Sequence, residues 1–282
     1  MLEAHPDLHA GEATLLERLE AHAGELARWN PRLSLVGPGT AHELVRRHYL
    51  ESLAAWPLLL SSADDLPNHS AAGAAVAPRG QPEAASSLVD LGTGGGFPGF
   101  VLAAALAAQA EGRAHGGAAL LGGVEEIERE QRSERVGWEK IEASVVLVEP
   151  RQRKVAFLRA ALRAARLSCS ILDARVETPL SGVRGLPTNI DIVTVRALAL
   201  APSLIRELFD RHPDLRLLLW SGRSEPELPP SVETRRRVRL AGSDHRQILE
   251  IRRVPSRRRS DVARSSALGS LDARARDASA RR

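Results

Sequence analysis

The chain has 282 residues, 43% of them hydrophobic, which is enough for a buried core and argues against a wholly disordered protein. Its formal net charge is +4. The C-terminal segment 255–282 contains eight arginines and three aspartates and so carries a charge of +5, which leaves −1 for the rest of the chain. The single cysteine, Cys169, excludes an internal disulfide and a zinc site built on cysteines. We expect neither a secretory signal nor a transmembrane helix, because the first residues lack a basic, apolar leader and no apolar run approaches ~20 residues.

Two amphipathic helices are predicted at the beginning of the chain. Apolar residues recur at helical spacing over residues 15–29, and Pro31 is expected to end that helix. A second amphipathic stretch covers residues 44–56. We expect these helices to form an N-terminal cap within residues 1–60. The segment 61–85 is rich in alanine, proline, serine and glycine without periodicity, and is interpreted as a flexible linker.

An alternating series of strands and helices is predicted over residues 86–256. The predicted strands are 87–91, 145–149, 169–172, 190–195 and 215–220, with helices at 97–109, 151–167 and 202–210. A last pair of strands, 234–240 and 247–254, has an antiparallel pattern. Such alternation predicts a mostly parallel, seven-stranded α/β sheet that binds ligands at the carboxyl ends of its strands. A charged insertion over about 111–142 and a basic, disordered tail over 257–282 complete the predicted organisation.

The clearest local signal is the glycine-rich turn after the first predicted strand. Asp90 precedes Gly92, Gly94 and Gly96, and Phe97 opens the next helix. Glycine lets the backbone turn sharply and approach a ligand closely. The residues of the turn alone leave three interpretations: a dinucleotide site, an S-adenosylmethionine site, and a glycine-rich turn that binds no ligand.

Charge beside this turn favours S-adenosylmethionine over a dinucleotide. A pyrophosphate is an anion that binds bare amides at a helix N-terminus, and the carboxylate of Asp90 would repel it. S-adenosylmethionine has no phosphate and carries a sulfonium and an ammonium, which a carboxylate attracts. Glu149 ends the second predicted strand, where acidic side chains of nucleotide-binding α/β folds accept hydrogen bonds from ribose hydroxyls. The pattern of Asp90, the glycines and Glu149 resembles the class I methyltransferases.

Further segments resemble the RsmG (GidB) family and occur in that family's order. Residues 29–36, WNPRLSLV, resemble its Trp-Asn-x-x-x-Asn-Leu-Thr stretch. Residues 48–53, HYLESL, resemble its His-x-x-Asp-Ser-Leu stretch, with Glu51 at the aspartate position. Residues 90–99 resemble its extended glycine loop, including the final Phe-Pro-Gly. Lys154–Leu158 resembles the helix after the family's second strand, and Arg175–Glu177 and Val195–Ala197 are weaker matches.

The resemblance implies a cytoplasmic class I methyltransferase with a Rossmann-like sheet and an N-terminal helical cap. It implies S-adenosylmethionine as cofactor, no metal, and N7-methylation of a guanine in bacterial 16S rRNA of the small ribosomal subunit. The cofactor contacts it implies are Gly92, Gly94, Gly96, Phe97, Glu149 at the ribose, and Val176 and Glu177 beside the adenine. Arg196 follows an apolar strand and so is expected at the ligand edge, facing cofactor and RNA; it is our candidate catalytic residue.

Alternatives remain for the function and for two cap residues. The chain could methylate another substrate, or bind the cofactor without turnover while serving ribosome assembly. Trp29 lies on an apolar stripe, where an aromatic ring is more often part of the core than a base-stacking platform. His48 on a helix is more often a hydrogen-bonded structural residue than a catalytic one.

Overall fold

The computed structural model describes residues 11–60, 87–119, 144–175 and 183–254. The predicted linker, the basic tail and most of the predicted insertion lie outside these residues. Within the described part of the chain, no helix combines the length and apolarity that crossing a bilayer requires.

The cap begins with α1, Glu12–Leu33, which buries one apolar stripe that includes Leu15, Leu19 and Leu26. The prediction that this helix ends at Pro31 was wrong by two residues. The helix runs through Pro31 to Leu33, which packs against the core, and stops at Ser34 in left-handed backbone conformation.

The second predicted helix is continuous but changes its winding. It begins as α2, Ala41–Leu44, continues as a π-helix over Val45–Leu50 and ends as α3, Glu51–Leu53. Thr40 and Glu43 cap its start reciprocally, each side chain binding the other residue's backbone N–H. A short helix, α4, follows over Trp56–Leu60. π-Helical turns inside helices are frequent at functional sites because they displace the side chains that follow.

The remaining elements form the sheet and the helices that connect its strands. The strands are β1 Ser87–Leu91, β2 Ser144–Val148, β3 Ser170–Leu172, β4 Ile192–Arg196, β5 Arg216–Ser221, β6 Val232–Arg239 and β7 Gln247–Arg253. The connecting helices are α5 Gly99–Ala119, α6 Gln152–Ala164 and α7 Pro202–Arg211. α5 is longer than predicted, because its last turns continue into residues assigned to the insertion.

The sheet has the order β3-β2-β1-β4-β5-β7-β6. Strands β1 to β5 are parallel, and β7 pairs antiparallel with both β5 and β6. Two parallel halves therefore diverge from the β1–β4 junction, the switch point where doubly wound folds bind their ligands. This topology confirms the predicted Rossmann-like, mostly parallel, seven-stranded sheet, including the antiparallel final pair.

Alternate residues of each strand face opposite sides of the sheet and build two cores. Leu88, Ile192 and Trp220 belong to the core shared with the cap, α5 and α6. Val89 and Val193 belong to the core on the other face, which α7 covers. Side chains two positions apart on a strand face the same side of the sheet. Asp90 and Thr194, which lie two positions after Leu88 and Ile192, therefore also face the cap.

Candidate functional site

The glycine turn lies at the carboxyl end of β1 and adopts the conformations that its sequence predicts. Gly92, Gly94 and Gly96 have φ angles of 72°, 55° and 86°, which side chains with a Cβ atom rarely adopt. Space is also limited at Gly92, where a Cβ would lie 3.1 Å from Leu198 Cδ2. The turn therefore requires glycine for backbone reasons before any ligand is considered.

Most backbone amides of the turn already have acceptors within the protein. The amides of Gly92 and Thr93 donate to the carbonyl oxygen of Val148, and those of Gly96 and Phe97 donate to that of Thr93. A pyrophosphate needs several unpaired amides pointing at one place. This loop does not present them, which argues against a dinucleotide on geometric grounds.

Asp90 occupies the place that an anion would take at the start of α5. Its Oδ2 accepts a hydrogen bond from the Gly99 amide at 3.0 Å, and its Oδ1 accepts one from Thr194 Oγ1 at 2.7 Å. Asp90 and Thr194 are direct neighbours in the β1–β4 register, and both are fully buried. Burial raises the pKa of Asp90, and the hydrogen bonds to its carboxylate oppose that rise. The sequence predicts that this carboxylate faces a cationic cofactor; in the structure it is buried inside the fold and binds the loop and β4.

Glu149 supports the loop from the end of β2. Its Oε2 accepts from the Gly94 amide and its Oε1 from the Arg151 amide, each at 3.0 Å. The residue is 4% exposed. Each carboxylate oxygen has two lone pairs, so Glu149 retains acceptor capacity for a ribose hydroxyl while it holds Gly94. The structure thus brings Glu149 and the glycine turn together, as the sequence predicts.

Arg196, the last residue of β4, extends from the cap-facing side of the sheet. Its Nη2 donates to Glu51 Oε2 at 3.0 Å and to the carbonyl oxygen of Arg47. Its Nη1 is buried without a hydrogen-bond partner in the described structure. Burial lowers the pKa of Arg196, and the nearby carboxylate of Glu51 opposes that change. The structure thus adds an ion pair with Glu51 that the sequence did not reveal, and the contact of Arg196 with a ligand stays a prediction.

Glu51 joins three parts of the chain. Besides Arg196, its carboxylate forms an ion pair with Arg246 in the β6–β7 connection. Its backbone carbonyl accepts from Trp220 Nε1 on β5 at 2.9 Å. We call Glu51, Arg47, Arg196 and Arg246 the Glu51 cluster. It contains three guanidinium groups for one carboxylate, and so leaves an excess of positive charge where the cap meets the carboxyl edge of the sheet.

His48 lies between this cluster and the glycine loop. Its ring is 4.9 Å from that of Phe97, tilted by 38°, so the π-helix contacts the loop directly. Burial, together with the positive charges of Arg196, Arg47 and Arg246, lowers the pKa of His48 to about 4. The imidazole is therefore neutral at neutral pH and can donate or accept a hydrogen bond without adding charge.

The Trp-Asn segment shapes a turn that lies on the glycine loop. Asn30 Oδ1 accepts from the Val36 amide at 2.9 Å and thereby holds the turn after α1. A Cβ on Gly95 would lie 3.3 Å from the Leu35 carbonyl oxygen, so this turn packs closely against the loop. Trp29 packs edge-on against Phe157 of α6, as expected for a core residue.

A further contact to the loop comes from His22, which the sequence alone does not single out. It is fully buried in α1 and binds the Gly95 carbonyl oxygen of the loop through Nε2, at 3.0 Å. The available signal was its place on the apolar stripe, between Leu19 and Leu26 at helical spacing. A histidine in such a position needs buried hydrogen-bond partners, and these can lie only in a neighbouring element.

Two predicted cofactor residues, Val176 and Glu177, lie outside the described residues, so their role stays a prediction. Among the residues that the structure does describe, no three His, Cys, Asp or Glu side chains are grouped as a metal site.

Comparison with known proteins relates this chain to an rRNA methyltransferase family. The family model described as "GidB: rRNA small subunit methyltransferase G" matches residues 15–110, which include the cap and the glycine loop. Over these residues the chain is similar to the GidB family. It is 30% identical over 184 residues to ribosomal RNA small subunit methyltransferase G of Paramagnetospirillum magneticum, covering 65% of this chain and 59% of that protein. It is 28% identical over 232 residues to the protein of that name from Cereibacter sphaeroides, strain ATCC 17025, covering 77% of this chain and 84% of that protein.

The chain spans less than two thirds of the length of the first relatives it matches: 59%, 60% and 63% of three of them. Among solved structures, a putative methyltransferase, yhhF, from Escherichia coli aligns with a TM-score of 0.38 and 14% identity, covering 60% of this chain and 78% of that one.

Proposed function

We propose that this chain transfers a methyl group from S-adenosylmethionine to N7 of a guanine in 16S rRNA of the small ribosomal subunit. The observation that carries the proposal is the meeting of three features at one edge of the sheet. The glycine turn, the carboxylate of Glu149 and the positively charged Glu51 cluster all lie at the carboxyl ends of the parallel strands, against the cap. The names of the family relatives supply the class of substrate.

The residues of the loop fit a nucleoside without phosphate. Six amides of the turn, those of Gly92, Thr93, Gly94, Gly96, Phe97 and Gly99, donate within the protein. A phosphate group would have to compete with those acceptors, while a ribose and an adenine do not. We infer that Glu149 binds the ribose hydroxyls, and that Gly92, Gly94, Gly96 and Phe97 line the cofactor. Asp90 contributes by holding the loop.

S-adenosylmethionine, when bound, supplies an electrophilic methyl group on a positively charged sulfur. Guanine N7 has a lone pair and no proton, so its attack on that methyl group requires no general base. The protein has to align the two partners and stabilise the reacting arrangement electrostatically. His48 is neutral at neutral pH because its pKa is about 4, so it adds no positive charge beside the methyl donor.

The excess positive charge of the Glu51 cluster suits the phosphates that flank an exposed base. Arginine binds phosphate oxygens with paired donors, and such contacts position RNA without reading its sequence. Arg47 is exposed on the π-helix, and Arg46 beside it donates to the Gly242 carbonyl oxygen in the β6–β7 connection. We infer that RNA approaches across this side of the cap, with the target base directed towards Phe97.

The test uses the purified full chain, S-adenosylmethionine carrying a tritiated methyl group, and small subunits that lack the modification. We expect label on 16S rRNA, and primer extension should map it to a guanine. Label on a protein or metabolite would instead indicate another methyltransferase, and cofactor binding without transfer would indicate an assembly factor. Calorimetric binding of NAD or FAD with no binding of S-adenosylmethionine would overturn the proposal.

Arg196 is the residue whose replacement tests the site directly. We expect Arg196→Ala to lower methyl transfer by at least about tenfold, since the variant loses a guanidinium at the ligand edge. Arg163→Ala, which removes an exposed arginine from α6, serves as the control and should keep full activity. Thermal unfolding of both variants checks that they are folded. Wild-type turnover in folded Arg196→Ala would remove this residue from the site.

A further inference from the structure

The buried imidazole of His22 occupies an unusual place between the cap and the glycine loop. It is fully buried, and four aromatic rings surround it. The ring centroids of Phe100, Phe97, Tyr49 and Phe157 lie 4.2, 5.2, 5.6 and 5.7 Å from its own. A polar ring among apolar neighbours costs free energy unless both of its nitrogens find partners.

Both nitrogens of His22 are hydrogen-bonded, and the partners determine the tautomer. Nε2 lies 3.0 Å from the Gly95 carbonyl oxygen, and Nδ1 lies 2.7 Å from Tyr49 Oη. A carbonyl oxygen can only accept, so Nε2 must carry the proton. Burial lowers the pKa of His22 to about 4, so the ring is neutral and Nδ1 must accept from the Tyr49 hydroxyl. The hydrogen bonds thus run in one direction, from Tyr49 through His22 to Gly95.

The peptide group between Gly95 and Gly96 is held at both ends by this arrangement. Its carbonyl accepts from His22, and its amide donates to the Thr93 carbonyl oxygen at 2.8 Å. The loop also packs closely on the imidazole, since a Cβ on Gly96 would lie 3.0 Å from His22 Nε2. Four glycines, at positions 92, 94, 95 and 96, give this loop many alternative conformations, so a contact that fixes one peptide plane selects among them.

Tyr49 brings the second contact from the π-helix. It is the neighbour of His48, which packs on Phe97 of the same loop. The ring of Tyr49 also meets Phe97 edge-on, with centroids 5.2 Å apart. The π-helix that carries Arg47 is therefore connected to the glycine loop through one buried hydrogen-bond chain.

We propose that His22 is a positioning residue for the cofactor loop: it holds the Gly95–Gly96 peptide in the orientation that binds S-adenosylmethionine. The proposal rests on the proposed function for the identity of the ligand. His22 touches neither ligand nor reacting atoms; it acts through the loop. Its effect should therefore appear first in the affinity for the cofactor and in the order of the loop, before any effect on the chemical step.

The test compares three variants of the full chain. His22→Phe keeps an aromatic ring but removes both hydrogen bonds, and should weaken S-adenosylmethionine binding by about fivefold to tenfold in calorimetry. His22→Gln places an amide donor near the position of Nε2 and should recover much of that affinity. Tyr49→Phe removes the hydroxyl but leaves the Gly95 contact, so its dissociation constant should stay within about twofold of wild type.

Hydrogen exchange of the ligand-free proteins gives a readout that does not depend on the cofactor. Amides within residues 92–98 should exchange faster in His22→Phe than in wild type, while those of β4 and β5 should not. A purely structural role would lower the melting temperature of His22→Phe without changing its dissociation constant or its loop exchange, and that result would overturn the proposal. If the wild-type chain binds no S-adenosylmethionine, the proposed function fails, and loop exchange alone still decides the role of His22.

Discussion

Replacing Glu51 tests whether the cap is locked to the sheet by one buried carboxylate. Glu51 is 4% exposed and serves Arg196 and Arg246, whose side chains are 15% and 22% exposed. In Glu51→Gln the side-chain amide keeps one acceptor oxygen but loses the negative charge. The guanidinium groups of Arg196 and Arg246, which are mostly shielded from water, then lose the negative charge with which they pair.

The expected cost follows from the burial of the partners. Removing one partner of a fully buried ion pair costs about 3–5 kcal/mol, because an uncompensated charge remains inside. Both arginines keep some contact with water, so we expect Glu51→Gln to lower the free energy of unfolding by about 2–4 kcal/mol. The bond from Trp220 to the Glu51 backbone should survive, since it does not involve the side chain.

Urea unfolding of the full chain measures this cost, and Glu225→Gln is the matched control. Glu225 forms an ion pair with Arg237 on β6, but those two side chains are 49% and 45% exposed, so the same substitution should have a much smaller effect. If Glu51→Gln were no more destabilising than Glu225→Gln, the cluster would contribute nothing to holding the cap. The electrostatic description of this edge would then be refuted.

Three further predictions concern the loop and its supports. Thr194→Val should cost about 1–3 kcal/mol in urea unfolding, because the buried carboxylate of Asp90 loses a donor, whereas Thr194→Ser should stay near wild type. Gly99→Ala should lower the free energy of unfolding by about 1–3 kcal/mol, because its Cβ would lie 2.6 Å from Asp90 atoms. Its control is Gly24→Ala on the open surface of α1, which should be neutral or stabilising. Equal shifts of the two denaturation curves would contradict this prediction. The pKa of His22 is about 4 in the folded protein and 6.5 in the unfolded chain, so burying the neutral ring stabilises the fold fully above pH 6.5. That contribution is lost as the pH falls from 6.5 through 4, because the unfolded chain takes up a proton there before the folded protein does. Wild type should thus lose roughly 2–3 kcal/mol more than His22→Gln between pH 7.5 and 4.5, and parallel pH profiles of the two proteins would show that the ring is not buried neutral.

Local patterns in the sequence determined the elements of the fold. Short apolar runs located the strands, and alternation with helical segments was enough to predict a mostly parallel sheet with an antiparallel final pair. Glycines at 92, 94 and 96 predicted a turn that only glycine tolerates, and all three adopt positive φ. These features follow from residues close together in the chain, since backbone freedom and hydrophobic spacing are local properties.

Roles that depend on distant partners could not be derived in the same way. The charge of Asp90 pointed to a cationic ligand, yet its oxygens are taken by Gly99 and by Thr194, 104 residues away. In the sequence, Glu51 is only a residue that differs from the aspartate of the family motif. In the structure it pairs with Arg196, which is 145 residues further along the chain. An ionic side chain acts on whatever is within a few ångströms, and sequence spacing does not measure that distance.

The order of residues alone therefore predicts the sheet, the position of its ligand-binding edge and the glycine turn at that edge. The attachment of the cap at that edge, through His22 on the loop and Glu51 at the arginines, becomes visible only in the folded chain. A buried polar group must find its partner inside the protein, and the identity of that partner depends on how separate elements pack.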